Sequence, residues 1–152
     1  MYKSISKSAL TLLAILSFGL ASVAHAAEIK TDKAFADKKI VLQISDSDPF
    51  KQTLVLNVAS NLIKAYGTDK VDIEIVSFGP GLRLLFAENG NKGRIQGLAS
   101  EGVRFAACKN TIKGMGKKLG HAPALNANAV EVSAGVVRII DLMDAGYTLI
   151  KP

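Results

Sequence analysis

The chain has 152 residues, a formal net charge of +6 at pH 7, no tryptophan and one cysteine. This length suits one domain of ordinary size. The basicity is modest and no platform of aromatic and basic residues is present, so nucleic acid is not an expected partner. A single cysteine cannot form a disulfide within its own chain, so its thiol is either buried and inert or exposed and used.

Residues 1–26 have the pattern of a secretory signal peptide. Lys3 and Lys7 form a positive n-region, residues 9–23 are almost uninterruptedly apolar, and an A-x-A cleavage pattern closes the segment. The apolar stretch is shorter than the roughly 20 residues of a membrane span, and no second stretch of that length follows. We expect a mature chain that begins at Ala27, has no permanent membrane span and is periplasmic in a Gram-negative host.

The rest of the chain alternates strand and helix patterns after residues 27–38, which are expected to form a flexible arm. The apolar run 40–44 predicts a strand whose two faces are both covered. Asp48 is the expected N-cap of a helix that ends before Gly67. Further strands are expected at 71–78, 103–108, 130–132 and 147–150, with helices at 82–87, 94–100 and 134–144. A weaker helix after Lys109 is expected to be interrupted by glycines 114, 116 and 120.

Strands that alternate with helices imply right-handed βαβ crossovers. We therefore predict an α/β domain over residues 39–152, with three α/β/α layers and a mostly parallel sheet of about five strands. Ligands bind such sheets beyond the carboxyl ends of the strands. Residues 45–49, 78–81 and 108–111 leave strands at that edge. They supply a candidate catalytic residue, Cys108, and candidate binding residues Asp48, Gly79, Gly81, Lys109, Asn110 and Thr111.

Cys108 ends a predicted strand just before a predicted helix. The thiolate is the nucleophilic form of cysteine, and helix N-termini and nearby cations favour it. Asn110 or Thr111 is the expected cap of the following helix, and Lys109 adds a charge. A second interpretation remains open, because free cysteine is among the most buried residue types and often acts as a small core hydrophobe.

Residues 102–112 resemble the cysteine motif of the DsrE/DsrF-like family, in its small single-domain branch with a C-x-N-T signature. The likeness covers about residues 38–152 and is strong again at 146–152. It departs at Met143, where the branch often carries glutamine. The resemblance implies a three-layer α/β/α domain, homo-oligomers that are often trimers or hexamers, and a persulfide carried on Cys108 within a sulfur relay.

Two functions follow from these observations. The first is a sulfur or thiol carrier that uses Cys108 and exchanges sulfur with a donor or acceptor protein. The second is a non-catalytic oligomeric binding module for a small anion or an envelope protein, with a structural cysteine. No cofactor is expected. No metal site is expected either, because Cys108 and His121 supply two ligands where a structural zinc site needs four.

Helical spacing also predicts two surface features. In the first helix, Leu54, Val58, Leu62 and Ala65 form the predicted inward stripe, which leaves Leu56 and Ile63 on the other side as a predicted subunit interface. Lys109, Lys113 and Lys117, with Lys118 beside the last, form a basic stripe. This stripe is either a solvated face or a surface that attracts thiosulfate, a persulfide or an acidic partner protein.

Overall fold

The computed structural model describes residues 33–152, so the predicted signal peptide and the start of the arm lie outside the described part of the chain. Within residues 33–152, five parallel strands form one sheet in the order β4-β3-β2-β1-β5. The strands are β1 (Lys38–Ile44), β2 (Val71–Ser77), β3 (Arg104–Cys108), β4 (Ala129–Val132) and β5 (Thr148–Ile150). The helices are α1 (Pro49–Tyr66), α2 (Lys92–Ser100), α3 (Lys109–Leu119) and α4 (Gly135–Asp144), with a 3₁₀ segment at Gly79–Leu85. The predicted α/β class and parallel five-stranded sheet are confirmed.

The order of the strands places the helices in two unequal layers. The chain steps from β1 to β4 in one direction, so right-handed crossovers put α1, α2 and α3 on one face of the sheet. From β4 it returns to the far edge, so α4 crosses the opposite face. The two apolar clusters follow this division, one under α1 to α3 and one under α4. Within residues 33–152, no helix is long and apolar enough to cross a membrane.

Local signals explain where α1 begins and ends. The Asp48 side chain accepts a hydrogen bond from the Phe50 N–H at 2.8 Å, which satisfies one of the free donors of the first turn. Pro49 follows at the first helical position, where its missing N–H costs nothing. Gly67 ends the helix with φ 91°, a backbone conformation that glycine adopts without strain.

The predicted inward face of α1 was partly wrong: Val58 and Leu62 pack on the core, but Leu54 and Ala65 are exposed. Leu56 is 0% exposed and Ile63 is 7% exposed, and both belong to the core beneath the helix, whereas Leu54 is 43% exposed. The helix is apolar around most of its circumference, so residue spacing does not separate two stripes that differ by a small rotation. The expected subunit interface through Leu56 and Ile63 therefore has no basis in this fold.

The described part of the expected flexible arm is attached to the domain. The Lys33 ammonium donates to the Val71 carbonyl at 3.2 Å and to the Glu101 carbonyl at 2.8 Å. These bonds tie the chain to the amino end of β2 and to the turn before β3. Strand β1 begins at Lys38, two residues before the predicted start at residue 40.

Helix α3 continues through Gly114 and Gly116, which were expected to interrupt it, and stops only at the third expected glycine. It runs from Lys109 to Leu119 and ends at Gly120, which has φ 80° in the left-handed region. Each glycine inside a helix costs about 1 kcal/mol relative to alanine. Burial of Ile112 and packing of Met115 on the core offset that cost, because tertiary contacts supply most helix stability in proteins.

Candidate functional site

Cys108 lies at the carboxyl edge of the sheet, as predicted. It is the last residue of β3 and also the N-cap of α3, so the strand passes into the helix without a connecting loop. On the neighbouring strand it pairs with Val132, only three residues before α4 begins at Gly135. The thiol therefore lies where the first turns of two helices meet. In the isolated chain Cys108 is 5% exposed.

Backbone and side-chain donors around the sulfur favour the thiolate. Burial raises the pKa of Cys108, but the Thr111 hydroxyl and the N–H groups of Gly135, Thr111 and Asn110 together outweigh it, and the pKa is lowered from its ordinary value. These contacts are loose, since the sulfur makes no side-chain capping hydrogen bond of ordinary geometry to the first turn of α3. The number of these donors, and their positions at the positive N-terminal ends of two helices, account for the lowered pKa of Cys108.

Thr111 connects the sulfur to the exit of β2. Its hydroxyl oxygen accepts a hydrogen bond from the Gly79 N–H at 2.9 Å. A hydroxyl has one proton to donate, and this proton remains for the sulfur because the Gly79 bond uses a lone pair. Thr111 therefore holds the chain after β2 against α3 and lowers the pKa of Cys108 through the same hydroxyl.

The two predicted glycines shape this exit. Gly79 has φ 52°, in the left-handed region where other residues are strained. A Cβ at Gly81 would lie 2.4 Å from the Ile44 carbonyl oxygen, so only glycine allows the 3₁₀ segment to approach the end of β1 so closely. Gly79 therefore contacts the site through its hydrogen bond to Thr111, whereas Gly81 contributes by packing against the end of β1.

The remaining predicted residues have other roles. Cys108 itself is the N-cap of α3, so the prediction that Asn110 or Thr111 caps this helix was wrong. The Lys109 ammonium lies 3.5 Å from the Glu131 carboxylate, and the groups that lower the Cys108 pKa most are hydrogen-bond donors of other residues. Asn110 acts through its backbone N–H. Asp48 caps α1, and no hydrogen bond joins it to Cys108.

A cavity of about 370 Å³ adjoins the Thr111 side of the site. Its walls come from the 3₁₀ segment and from α3, and they include Gly79, Arg83, Thr111, Gly114, Met115 and Lys118. The sequence pattern missed this cavity because its two walls come from segments separated by about thirty residues, which the parallel crossover brings together. Arg83 gave no signal of its own, since single exposed arginines are common on protein surfaces.

His121 does not complete a site with Cys108. Its ring Nδ1 lies 3.1 Å from the Ala122 carbonyl oxygen on an exposed loop. Among residues 33–152, no group of three or more His, Cys, Asp and Glu side chains is placed to hold a metal ion. Lys113, Lys117 and Lys118 are exposed on α3, so the basic stripe exists as a surface feature.

A buried group of charged side chains lies under α4, and the sequence pattern did not reveal it. Arg138 donates to Glu74 at 2.6 and 2.8 Å, and Arg104 donates to Glu74 at 3.0 Å and to Tyr147 at 2.9 Å. Asp72 accepts from Arg104 and from Tyr147. Burial, followed by the hydrogen bond to Asp72, raises the pKa of Tyr147 to about 12. Two carboxylates face two guanidinium groups in this cluster, which links β2, β3 and α4.

Comparisons with known proteins support the fold. No protein-family model matches the chain, and no curated protein matches it. Among solved structures, MTH1491 of Methanobacterium thermoautotrophicum, described as a protein of unknown function, is similar with a TM-score of 0.69 and 28% sequence identity. The match covers 76% of this chain and 100% of that chain. The likeness extends over the whole of that protein and agrees with the α/β architecture.

Proposed function

We propose that this protein is a sulfur carrier that accepts a sulfane sulfur on Cys108 as a persulfide. One observation supports the proposal above the others: two helix N-termini and the Thr111 hydroxyl favour the thiolate of Cys108. A cysteine that serves only as a core hydrophobe has no need of such surroundings. The resemblance of residues 102–112 to the DsrE/DsrF-like cysteine motif points to the same chemistry.

The reaction needs no outside oxidant. The Cys108 thiolate attacks the outer sulfur of a donor persulfide, R–S–SH, and a new sulfur–sulfur bond forms on the protein. The donor's own sulfur–sulfur bond breaks, and the donor thiolate, R–S⁻, leaves with the electron pair. The N–H groups that stabilise the attacking thiolate favour the deprotonated nucleophile at neutral pH. Passing the sulfur to an acceptor thiolate is the same step in reverse.

Intact-mass spectrometry tests the proposal. The reduced mature chain is incubated with a low-molecular-weight persulfide, and we expect the mass of one sulfur atom to be gained at Cys108 and lost again with reductant. Cys108→Ser must gain nothing while its circular dichroism spectrum stays unchanged. No gain in the wild-type chain, under conditions where a free-cysteine peptide gains sulfur, would refute the carrier.

Burial of Cys108 favours a second candidate function, a binding module with a structural cysteine. The residue is 5% exposed, and a carrier must expose its sulfur to a donor. Alkylation separates the two functions. A structural cysteine reacts only after denaturation, whereas a carrier reacts in the native state, faster as pH rises through the lowered pKa of Cys108.

We also propose that the protein is an exported DsrE/DsrF-like protein that assembles as a homo-oligomer. Helix α4 carries an apolar outer face, with Val136, Val137, Ile140 and Met143 each about half exposed. Ile140 and Met143 continue the row of Val136 at helical spacing, and an apolar row of this kind is unusual on a face meant for water. This face replaces Leu56 and Ile63 as the proposed contact between copies. Export predicts a mature N-terminus at Ala27 in an envelope fraction, which N-terminal sequencing checks.

A further inference from the structure

The cavity beside Thr111 differs in charge from a cavity under α4 that is lined by Glu74, Arg104 and Arg138. Arg83 and Lys118 line it, and no acidic residue does. Within residues 33–152, neither side chain forms an ion pair with a carboxylate. The cavity under α4 is different, because its two arginines form ion pairs: Arg138 pairs with Glu74, and Arg104 pairs with Glu74 and Asp72. The Thr111 cavity therefore has positive charge that the described chain does not balance.

Thr111 joins this cavity to the sulfur. The residue lines the cavity wall, and it lies in the first turn of α3, three residues after the N-cap Cys108. Cys108 does not itself line the cavity, so the outer sulfur of a ligand held there must reach past Thr111 to meet the thiolate. The mid-helix Gly114 also lines the wall, and a Cβ added there would meet no atom within 4 Å, so the space is open on that side.

We propose that this cavity binds the oxyanion group of a small sulfur compound that reacts at Cys108, with thiosulfate as the donor. The inference rests on the proposed function, and it adds the class of substrate. An arginine fork binds tetrahedral oxyanions through paired hydrogen bonds, and a lysine adds a point charge. The cavity volume of about 370 Å³ exceeds what a small anion needs, so water or a longer substrate shares it.

The transfer from thiosulfate balances without a further reactant. The Cys108 thiolate attacks the outer, sulfane sulfur of thiosulfate, and a sulfur–sulfur bond forms on the protein. The bond between the two thiosulfate sulfurs breaks, and sulfite leaves with the electron pair. Arg83 and Lys118 hold the three oxygens that thiosulfate and sulfite share, so the same contacts serve the bound donor and the leaving group.

The first test measures binding without sulfur transfer. Amide NMR spectra of the mature Cys108→Ser chain are recorded during titration with thiosulfate. We expect saturable shifts at Gly79 and Gly114, lost in Arg83→Gln and in Lys118→Gln. Lys117→Gln is the matched control, because it removes the same charge from the same helix outside the cavity, and it should keep the shifts. No saturable shift, or equal losses in all three variants, would overturn the proposal.

The second test uses two alkylating reagents of similar shape, the anion iodoacetate and the neutral iodoacetamide. A change in thiolate population affects both rates equally, so their ratio reports recruitment of the anion. We expect Arg83→Gln and Lys118→Gln each to lower the iodoacetate-to-iodoacetamide ratio by about two- to fivefold, as one exposed charge pair would. Lys117→Gln should leave it unchanged, and an identical ratio in every variant contradicts the anion site.

The two proposals fail in different ways. If thiosulfate binds saturably but Cys108 gains no sulfur from any donor, the carrier function is wrong and the anion site stands. If Cys108 gains sulfur from a low-molecular-weight persulfide while thiosulfate neither binds nor reacts, the carrier stands and the anion site is wrong.

Discussion

Replacing Thr111 with valine removes one hydroxyl and keeps the branched shape of the side chain. The substitution takes a donor from the Cys108 thiolate and an acceptor from the Gly79 N–H. We expect the pKa of Cys108 to rise, because burial, which opposes the thiolate, is then less fully offset. The control is Thr111→Ser, which keeps the hydroxyl and loses only a methyl group.

The expected change in rate is smaller than the change in thiolate population. A hydrogen bond to a charged group contributes about 1.5 kcal/mol at the low end of its range, which is about a tenfold fall in the thiolate-to-thiol ratio. A thiolate of higher pKa is intrinsically more nucleophilic and recovers about threefold of that loss. The net result is a variant that reacts about threefold more slowly at low pH and about threefold faster once both thiols are fully ionised.

The assay is the pH dependence of exchange with a small uncharged disulfide, followed by release of its leaving thiol. The profiles of wild type and Thr111→Val should cross, and Thr111→Ser should follow the wild type. Coincident profiles would refute the assigned role of the Thr111 hydroxyl. Loss of the Gly79 acceptor is a separate effect, about 1 kcal/mol of unfolding free energy for a partly buried N–H, and chemical denaturation measures it.

Three further predictions concern assembly, pH and the core. Ile140→Glu should dissociate the proposed homo-oligomer and leave the domain folded, whereas Leu56→Glu should unfold the domain. Light scattering and circular dichroism measure the two outcomes, and a folded, monomeric Leu56→Glu variant would contradict the prediction. Because the pKa of Cys108 is lowered in the folded state, the stability that its thiolate contributes is present above the ordinary value of 9.0 and lost as pH falls through the lower folded value. Wild type should therefore gain unfolding free energy relative to Cys108→Ser between pH 6 and 10, and a constant difference argues against the shift. Within the described residues the buried Ser77 hydroxyl has no hydrogen-bond partner, so Ser77→Ala should keep or raise the unfolding free energy by about 1 kcal/mol. Glu74→Gln on the same strand should lower it by about 3 kcal/mol because it removes the buried negative charge that Arg138 and Arg104 face, and equal thermal melts for the two variants would show that reasoning to be wrong.

Local signals were sufficient for most of the architecture. Asp48 and Pro49 mark the start of α1, and Gly67 marks its end, because caps and breakers act on neighbouring residues only. The apolar run that ends at Cys108 placed the thiol at the strand–helix junction correctly. Such features depend on a few consecutive residues, and so they can be predicted from sequence.

The features that the sequence did not reveal depend on residues far apart in the chain. Asp72 and Glu74 alternate with apolar neighbours, a pattern typical of a half-exposed strand, yet both are buried because Arg104 and Arg138 arrive from other elements. Gly135 offers its N–H to Cys108 only because β4 pairs with β3. The one feature of the sequence that points to this contact is a glycine at the start of a helix, just after a strand.

The return of α4 across the sheet also determines when the site can exist during folding. The Gly135 N–H that helps to stabilise the thiolate comes from the last helix of the chain, and β5 then pairs with β1, joining Ile40 to Thr148. A contact across so much sequence forms late, since closing a long loop costs entropy before the contact stabilises it. A chain whose last helix and strand have not yet packed therefore lacks the Gly135 N–H beside the sulfur, and the full lowering of the Cys108 pKa is a property of the complete domain.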